Sequence, residues 1–129
     1  MYVLVCCMST ALQRLPESDR PSMISAKQHL AAAITFGEAY HKTWNSIHWN
    51  SSRAVVKKRT RAKLHDLAFE AYTELLAART CIYDYLNEVG SDALPSTWWR
   101  DFGVSIYLAV TGMEKNNGTE IWQRQLSLF

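Results

Sequence analysis

Signals for β-structure are nearly absent from this chain beyond residues 2–5, so a sheet protein is excluded. Five glycines and three prolines in 129 residues leave few places where a helix must stop. Three cysteines, two of them adjacent (Cys6 and Cys7), do not make a disulfide framework. A reducing cytosol is the simpler setting, and a cytoplasmic protein is expected. Nothing suggests secretion, and the sequons at Asn50 and Asn117 then carry no meaning. The longest apolar run, Tyr2 to Met8, is too short to span a bilayer. No base precedes it and no small-residue cleavage site follows it, so it is a poor signal peptide. Adjacent cysteines in an apolar segment also form a low-specificity acylation motif.

Chemical signatures are missing as well. The chain has no glycine-rich phosphate loop, nucleophile elbow, zinc-spaced cysteine pair or kinase signature. An ordinary enzyme is therefore not expected, and neither is a cofactor. Glu38 and His41 have the i, i+3 spacing of a bundle carboxylate site, but a di-iron centre needs a second such pair and two more glutamates. No metal site is assigned.

Apolar residues make up 48% of the chain, enough for a real core in one domain spanning residues 1–129. Residues 1–15 form an apolar N-terminal segment, expected to pack on the bundle as a short helix or strand. Residues 16–21 (Pro-Glu-Ser-Asp-Arg-Pro) are a polar linker, and residues 22–129 a helical bundle. In that bundle Met23, Ala26, Leu30, Ala33, Gly37, Tyr40, Trp44 and Ile47 recur at helical spacing. Ser25 with Gln28 fits a capping box for this helix.

The chain is organised around the stretch from Arg53 to Val89. Leu64, Ala68, Ala71, Leu75, Ala78, Ile82, Tyr85 and Val89 step by three and four, which returns side chains to one helix face. Gly90 suits the left-handed residue that ends many helices. Asn50, Ser51 and Ser52 offer N-cap oxygens and a short link to the preceding helix. A hairpin folded about residue 50 places Ala33 near Ala68, Gly37 near Leu64, Trp44 beside Val56 and His41 near Arg59. Unbroken, the long helix measures about 55 Å, whereas a compact chain of this size is about 36 Å across. It must protrude or bend.

After Gly90 the spacing predicts a turn to Pro95 and a helix capped by Ser96 or Thr97. Its stripe is Trp99, Phe102, Ile106, Ala109 and Met113. Asn116-Asn117-Gly118 reads as a turn before a last short helix bearing Ile121, Trp122 and Leu126. The expected fold is all-α, an antiparallel bundle of four to five helices with one long central helix. Trp98 and Trp99 cannot both face one core, because helix neighbours differ by about 100°. One is expected at the surface or an interface, or half-buried against the N-terminal segment or the tail.

Charge is the unusual feature. Net charge is only +2, yet six bases fall in the eleven positions 53–63: Arg53, Lys57, Lys58, Arg59, Arg61 and Lys63, with no acid among them. Asp66, Glu70, Glu74, Asp84 and Glu88 follow. A helix dipole favours the opposite order, so the bases were not placed there to stabilise their own helix. Bases on all sides of a helix cannot enter a dry core. They suit the phosphates of a nucleic acid, bound through its backbone without sequence readout. Trp44, His48 and Trp49 are near enough to stack on bases. An acidic protein partner, or a second copy in a homo-oligomer, suits the same charges.

Arg59 and His65 have five residues between them. In spacing this resembles the Arg-x4-6-His signature of HEPN ribonucleases, over seven residues. The resemblance implies a small helical bundle that is generally dimeric and cuts RNA without metal. His65 would serve as acid–base, with Arg59 or Arg61 steadying the phosphate. Positions six apart on a continuous helix point about 120° from each other, so such a site requires a bend near Arg61.

Overall fold

The computed structural model describes the backbone of residues 2–46 and 54–126, and the side chains of residues 3–46 and 58–114. Within these bounds the fold is all-helical, with no strand among the described residues. There are four α-helices: α1 (Tyr2–Gln13), α2 (Pro21–Asn45), α3 (Ala54–Val89) and α4 (Ser96–Leu126). A single 3-10 turn, Ser91–Ala93, stands between α3 and α4. No described helix is long and apolar enough to cross a membrane.

The helices form a ring. α2 packs on α1 and α3, and α4 packs on α3 and α1, while α1–α3 and α2–α4 lie on the diagonals. α2 and α3 run antiparallel. His29 Nδ1 lies 2.6 Å from Glu74 Oε2 near the middle of the hairpin. At its far end Arg20 and Ser22 both donate to Glu88.

Burial follows the predicted faces closely. Met23, Ala26, Leu30, Ala33, Gly37 and Tyr40 are buried along α2. Leu64, Ala68, Ala71, Leu75, Ala78, Ile82 and Tyr85 are buried along α3. Each large side chain taken wholly out of water stabilises the fold by about 1.5–3 kcal/mol before entropy is set against it. Trp44 and Val89, at the ends of these stripes, are exposed instead.

Four expectations need correction. α2 begins at Pro21 with Arg20 as its N-cap and no side-chain capping bond, so the Ser25–Gln28 box lies inside the helix. Pro21 explains the early start, since a proline at the first helical position has a preset φ and no orphan N–H. Gly37 also lies close to α1: a Cβ there would meet Met8 Cε at 2.9 Å and Val5 Cγ2 at 3.1 Å. α4 runs unbroken through Asn116–Gly118, so there are four α-helices and no separate last one. It also starts at Ser96, which leaves Pro95 rather than Ser96 or Thr97 in the capping position.

The fourth correction concerns the tryptophans. Trp98, not Trp99, is the core residue of α4, on a stripe with Phe102, Ser105, Ala109 and Met113. Ser105 is tolerated there because its hydroxyl donates to the Asp101 carbonyl at 3.0 Å. Trp99 is half-buried and stacks on exposed Tyr83 of α3, with ring centroids 5.4 Å apart.

Gly90 closes α3 at φ 107° and ψ 148°, a region open in practice only to glycine. The left-handed helical conformation expected there is not the one adopted, although φ is positive. Its N–H donates to Leu86 O at 2.8 Å.

Candidate nucleic-acid interface

The site sits at the end of the bundle where α2 stops and α3 starts. Two core clusters explain why that end differs from the rest. The larger one joins all four helices, from Leu4 and Met8 of α1 to Trp98 and Phe102 of α4. The smaller one is Tyr40, Leu64, Ala68 and Met113, from α2, α3 and α4 only. α1 does not reach it. α1 has 12 residues against 25, 36 and 31 in α2, α3 and α4. Its first half lies against Gly37, and its end turns back into α2 through residues 14–20.

Beyond the smaller cluster, charge takes over. Lys58, Arg59, Arg61 and Lys63 are all exposed, whereas the next two residues, Leu64 and His65, are buried. Lys58, Arg59 and Lys63 make no ion pair among the described residues; the pairs there involve Arg14, Arg20, Lys27, His29 and His65. The reversed dipole is real: α3 has no acid in its first turn and no base in its last. Trp49 and Arg53 lie outside the described residues, as does the side chain of Lys57. So does the predicted link at Asn50–Ser52.

α2 supplies two further residues. Lys42 is exposed in its last turn, where a cation also complements the helix dipole. Trp44 is 46% exposed. The run of bases at 53–63 drew attention away from Lys42; its position in the last turn of a helix that folds back on α3 is the signal that finds it. His41 is half-buried, and Asn45 Nδ2 donates to its Nε2 at 3.0 Å.

The residues of the HEPN-like spacing are not brought to one surface. α3 carries both without interruption. Arg59 is exposed, while His65 is 4% exposed and its Nε2 is out of reach of solvent. Its Nδ1 stands 3.8 Å from Asp66 Oδ1, too long for a hydrogen bond. Arg61, one turn before His65 on the same face, is exposed. Glu38 is exposed and His41 half-buried, and no cluster of three metal-ligating side chains occurs among the described residues. The cysteines are free. Burial, and then the nearby Asp101 carboxylate and Cys6, push the Cys7 thiol up.

This arrangement of exposed cations can attract an anion. Comparison with family models, curated proteins and solved structures finds no match.

Proposed function

We propose that this chain is a non-enzymatic helical protein that binds the backbone of a nucleic acid, as a small subunit or accessory factor of a nucleoprotein complex. One observation carries the reading. Lys58, Arg59, Arg61 and Lys63 are exposed together at one end of the bundle, with no acid between them. Each such cation that meets a phosphate releases condensed counterions, and binding then weakens steeply with salt. The placement is uniform enough for a backbone and offers no set of side chains that would read bases. A cytoplasmic setting fits the cysteine usage of the sequence.

The test is binding to random-sequence RNA and DNA across a salt series. The protein should bind both, with log K falling linearly in log salt. The variant with Lys58, Arg59, Arg61 and Lys63 all changed to Glu should lose binding while keeping its helical circular dichroism. Undiminished binding in that variant overturns the proposal. Purified protein should also carry nucleic acid, seen as a 260/280 absorbance ratio that drops after a high-salt wash.

A partner of another class, an acidic protein or a second copy, would use the same cations. Salt-sensitive oligomers in nuclease-treated protein would favour it. The buried placement of His65 supports the binding reading over the ribonuclease one.

A further inference from the structure

The side of α4 that faces away from the bundle is not the plain polar face its position calls for. Trp98, Phe102, Ser105, Ala109 and Met113 turn inward. On the opposite side lie Arg100, Gly103, Val104, Tyr107, Thr111 and Glu114, all within about 60° of Tyr107 around the helix. Tyr107 is 68% exposed, the most of any large apolar side chain among the described residues, and Val104 is exposed beside it. Arg100 and Glu114 stand at the two ends of the stripe. Both are exposed, and neither makes an ion pair among the described residues. Gly103 is the odd member. Glycine is among the poorest residues for a helix interior, and Gly103 has no positive φ to excuse it. A Cβ there would meet nothing within 4 Å, so packing among the described residues does not require a glycine. Trp99, four positions before it, and Tyr107, four after, flank it on the helix surface, so the missing side chain leaves a notch between two aromatic rings.

We infer that this face pairs with the same face of a second copy of the chain, the two α4 helices antiparallel about a twofold axis at Tyr107. The stripe is its own complement. In a twofold pair every contact is made twice, and positions equally far before and after the axis meet. Arg100, seven residues before Tyr107, meets the partner's Glu114, seven after it. Between these ends and the axis, Gly103 and Val104 of one copy form a layer with the partner's Val110 and Thr111, and the glycine lets the backbones come close. Charge sets the direction, because a parallel pair would place Arg100 on Arg100 and Glu114 on Glu114. Charge also selects the occupant. A nucleic acid is repelled at Glu114, and a partner of one sign is repelled at one end, whereas a second copy satisfies both ends. The contact is about 21 Å long, four turns of helix. That is small for a specific interface, so a reversible dimer of micromolar affinity is expected. The surface is separate from the cations of α3, and the inference goes beyond the nucleic-acid reading without depending on it.

The experiment is sedimentation equilibrium of the nuclease-treated full chain, from low micromolar to millimolar protein. The parent should pass from monomer to dimer over that range. Arg100→Glu should weaken the dimer by about tenfold, since two attractive pairs become repulsive. Glu114→Arg should do the same, and the two changes together should restore the parent affinity. Gly103→Ala should act in opposite directions on fold and dimer. It should raise the melting temperature of dilute, monomeric protein, because alanine favours the helix and its Cβ meets nothing. It should weaken the dimer by about tenfold, because the added methyl overpacks the contact twice. The variant with Lys58, Arg59, Arg61 and Lys63 changed to Glu should dimerise as the parent does. A protein that stays monomeric throughout, a dimer indifferent to Gly103→Ala, or a charge swap that does not rescue the single reversals overturns the inference. So does a dimer that the four-Glu variant dissolves, because the cations of α3 are then the interface. Nucleic-acid binding is decided by its own salt series, so either reading can fail alone.

Discussion

The indole Nε1 of Trp98 donates a 2.7 Å hydrogen bond to the main-chain carbonyl of Ala11, 87 residues earlier in the chain. Ala11 lies among the last four residues of α1, whose carbonyls have no partner further along their own helix. Trp98 thus caps one helix while filling the core of the bundle. Trp98→Phe keeps most of the apolar volume and removes the donor. It should cost about 1–3 kcal/mol, the penalty for a buried group left unsatisfied. Urea denaturation followed by far-UV circular dichroism measures it, and an unchanged midpoint would show that the bond contributes nothing.

Gly37 sets the distance between α1 and α2. Alanine is favoured over glycine in a helix by about 1 kcal/mol, but its Cβ would press Val5 at 3.1 Å and Met8 at 2.9 Å. Met8 Cε, the tip of a flexible side chain, can move away; Val5 is β-branched and stiff. Overpacking costs about 1–3 kcal/mol, so Gly37→Ala should be destabilising by roughly 1 kcal/mol. Gly37→Leu should displace α1 altogether, read as fast hydrogen exchange across residues 2–13.

The thiols report on burial at other helix contacts. Cys7 is raised by burial and by the Asp101 and Cys6 charges, and Cys81 by burial and Asp84. A raised thiol binds its proton more tightly in the folded state than in the unfolded one. The stability this contributes is present at neutral pH and lost as pH climbs through the folded values. Cys7→Ala should therefore flatten the alkaline decline of the melting temperature. Iodoacetamide at pH 8 should label exposed Cys6 well before Cys7 or Cys81; equal rates would contradict the burial.

His65 separates structure from catalysis. Its burial predicts that His65→Ala destabilises the fold by about 2–4 kcal/mol through a cavity beside Leu64 and Ala68. Nucleic-acid affinity at low temperature, where the variant stays folded, should not change. An RNA-cleaving activity in the parent protein that disappears in a folded His65→Ala variant would reinstate the ribonuclease reading.

The helical faces were legible because burial on α2 and α3 repeats with the helix period, and Met23 to Tyr40 and Leu64 to Tyr85 obey it without exception. On α4 the period was readable but the phase was not. The stripes through Trp98 and through Trp99 share Phe102, Ala109 and Met113, and a buried serine at 105 disguised the true one. The turn chemistry of Asn116-Asn117-Gly118 is a local preference, and α4 continues through it. At the site, the exposure of Lys58, Arg59, Arg61 and Lys63 followed from charge alone. The exposure of Trp44 did not, because its apolar spacing is that of a core residue.

The bond between Trp98 and Ala11 also has a consequence for synthesis. The partner that secures α1 emerges 87 residues after it, a delay of about 4–17 s at ordinary translation rates. Throughout that interval Leu4, Met8 and Ala11 have nothing from α4 to cover them. The nascent chain must carry α1 covered on its α2 side alone until just over three-quarters of the 129 residues have been made.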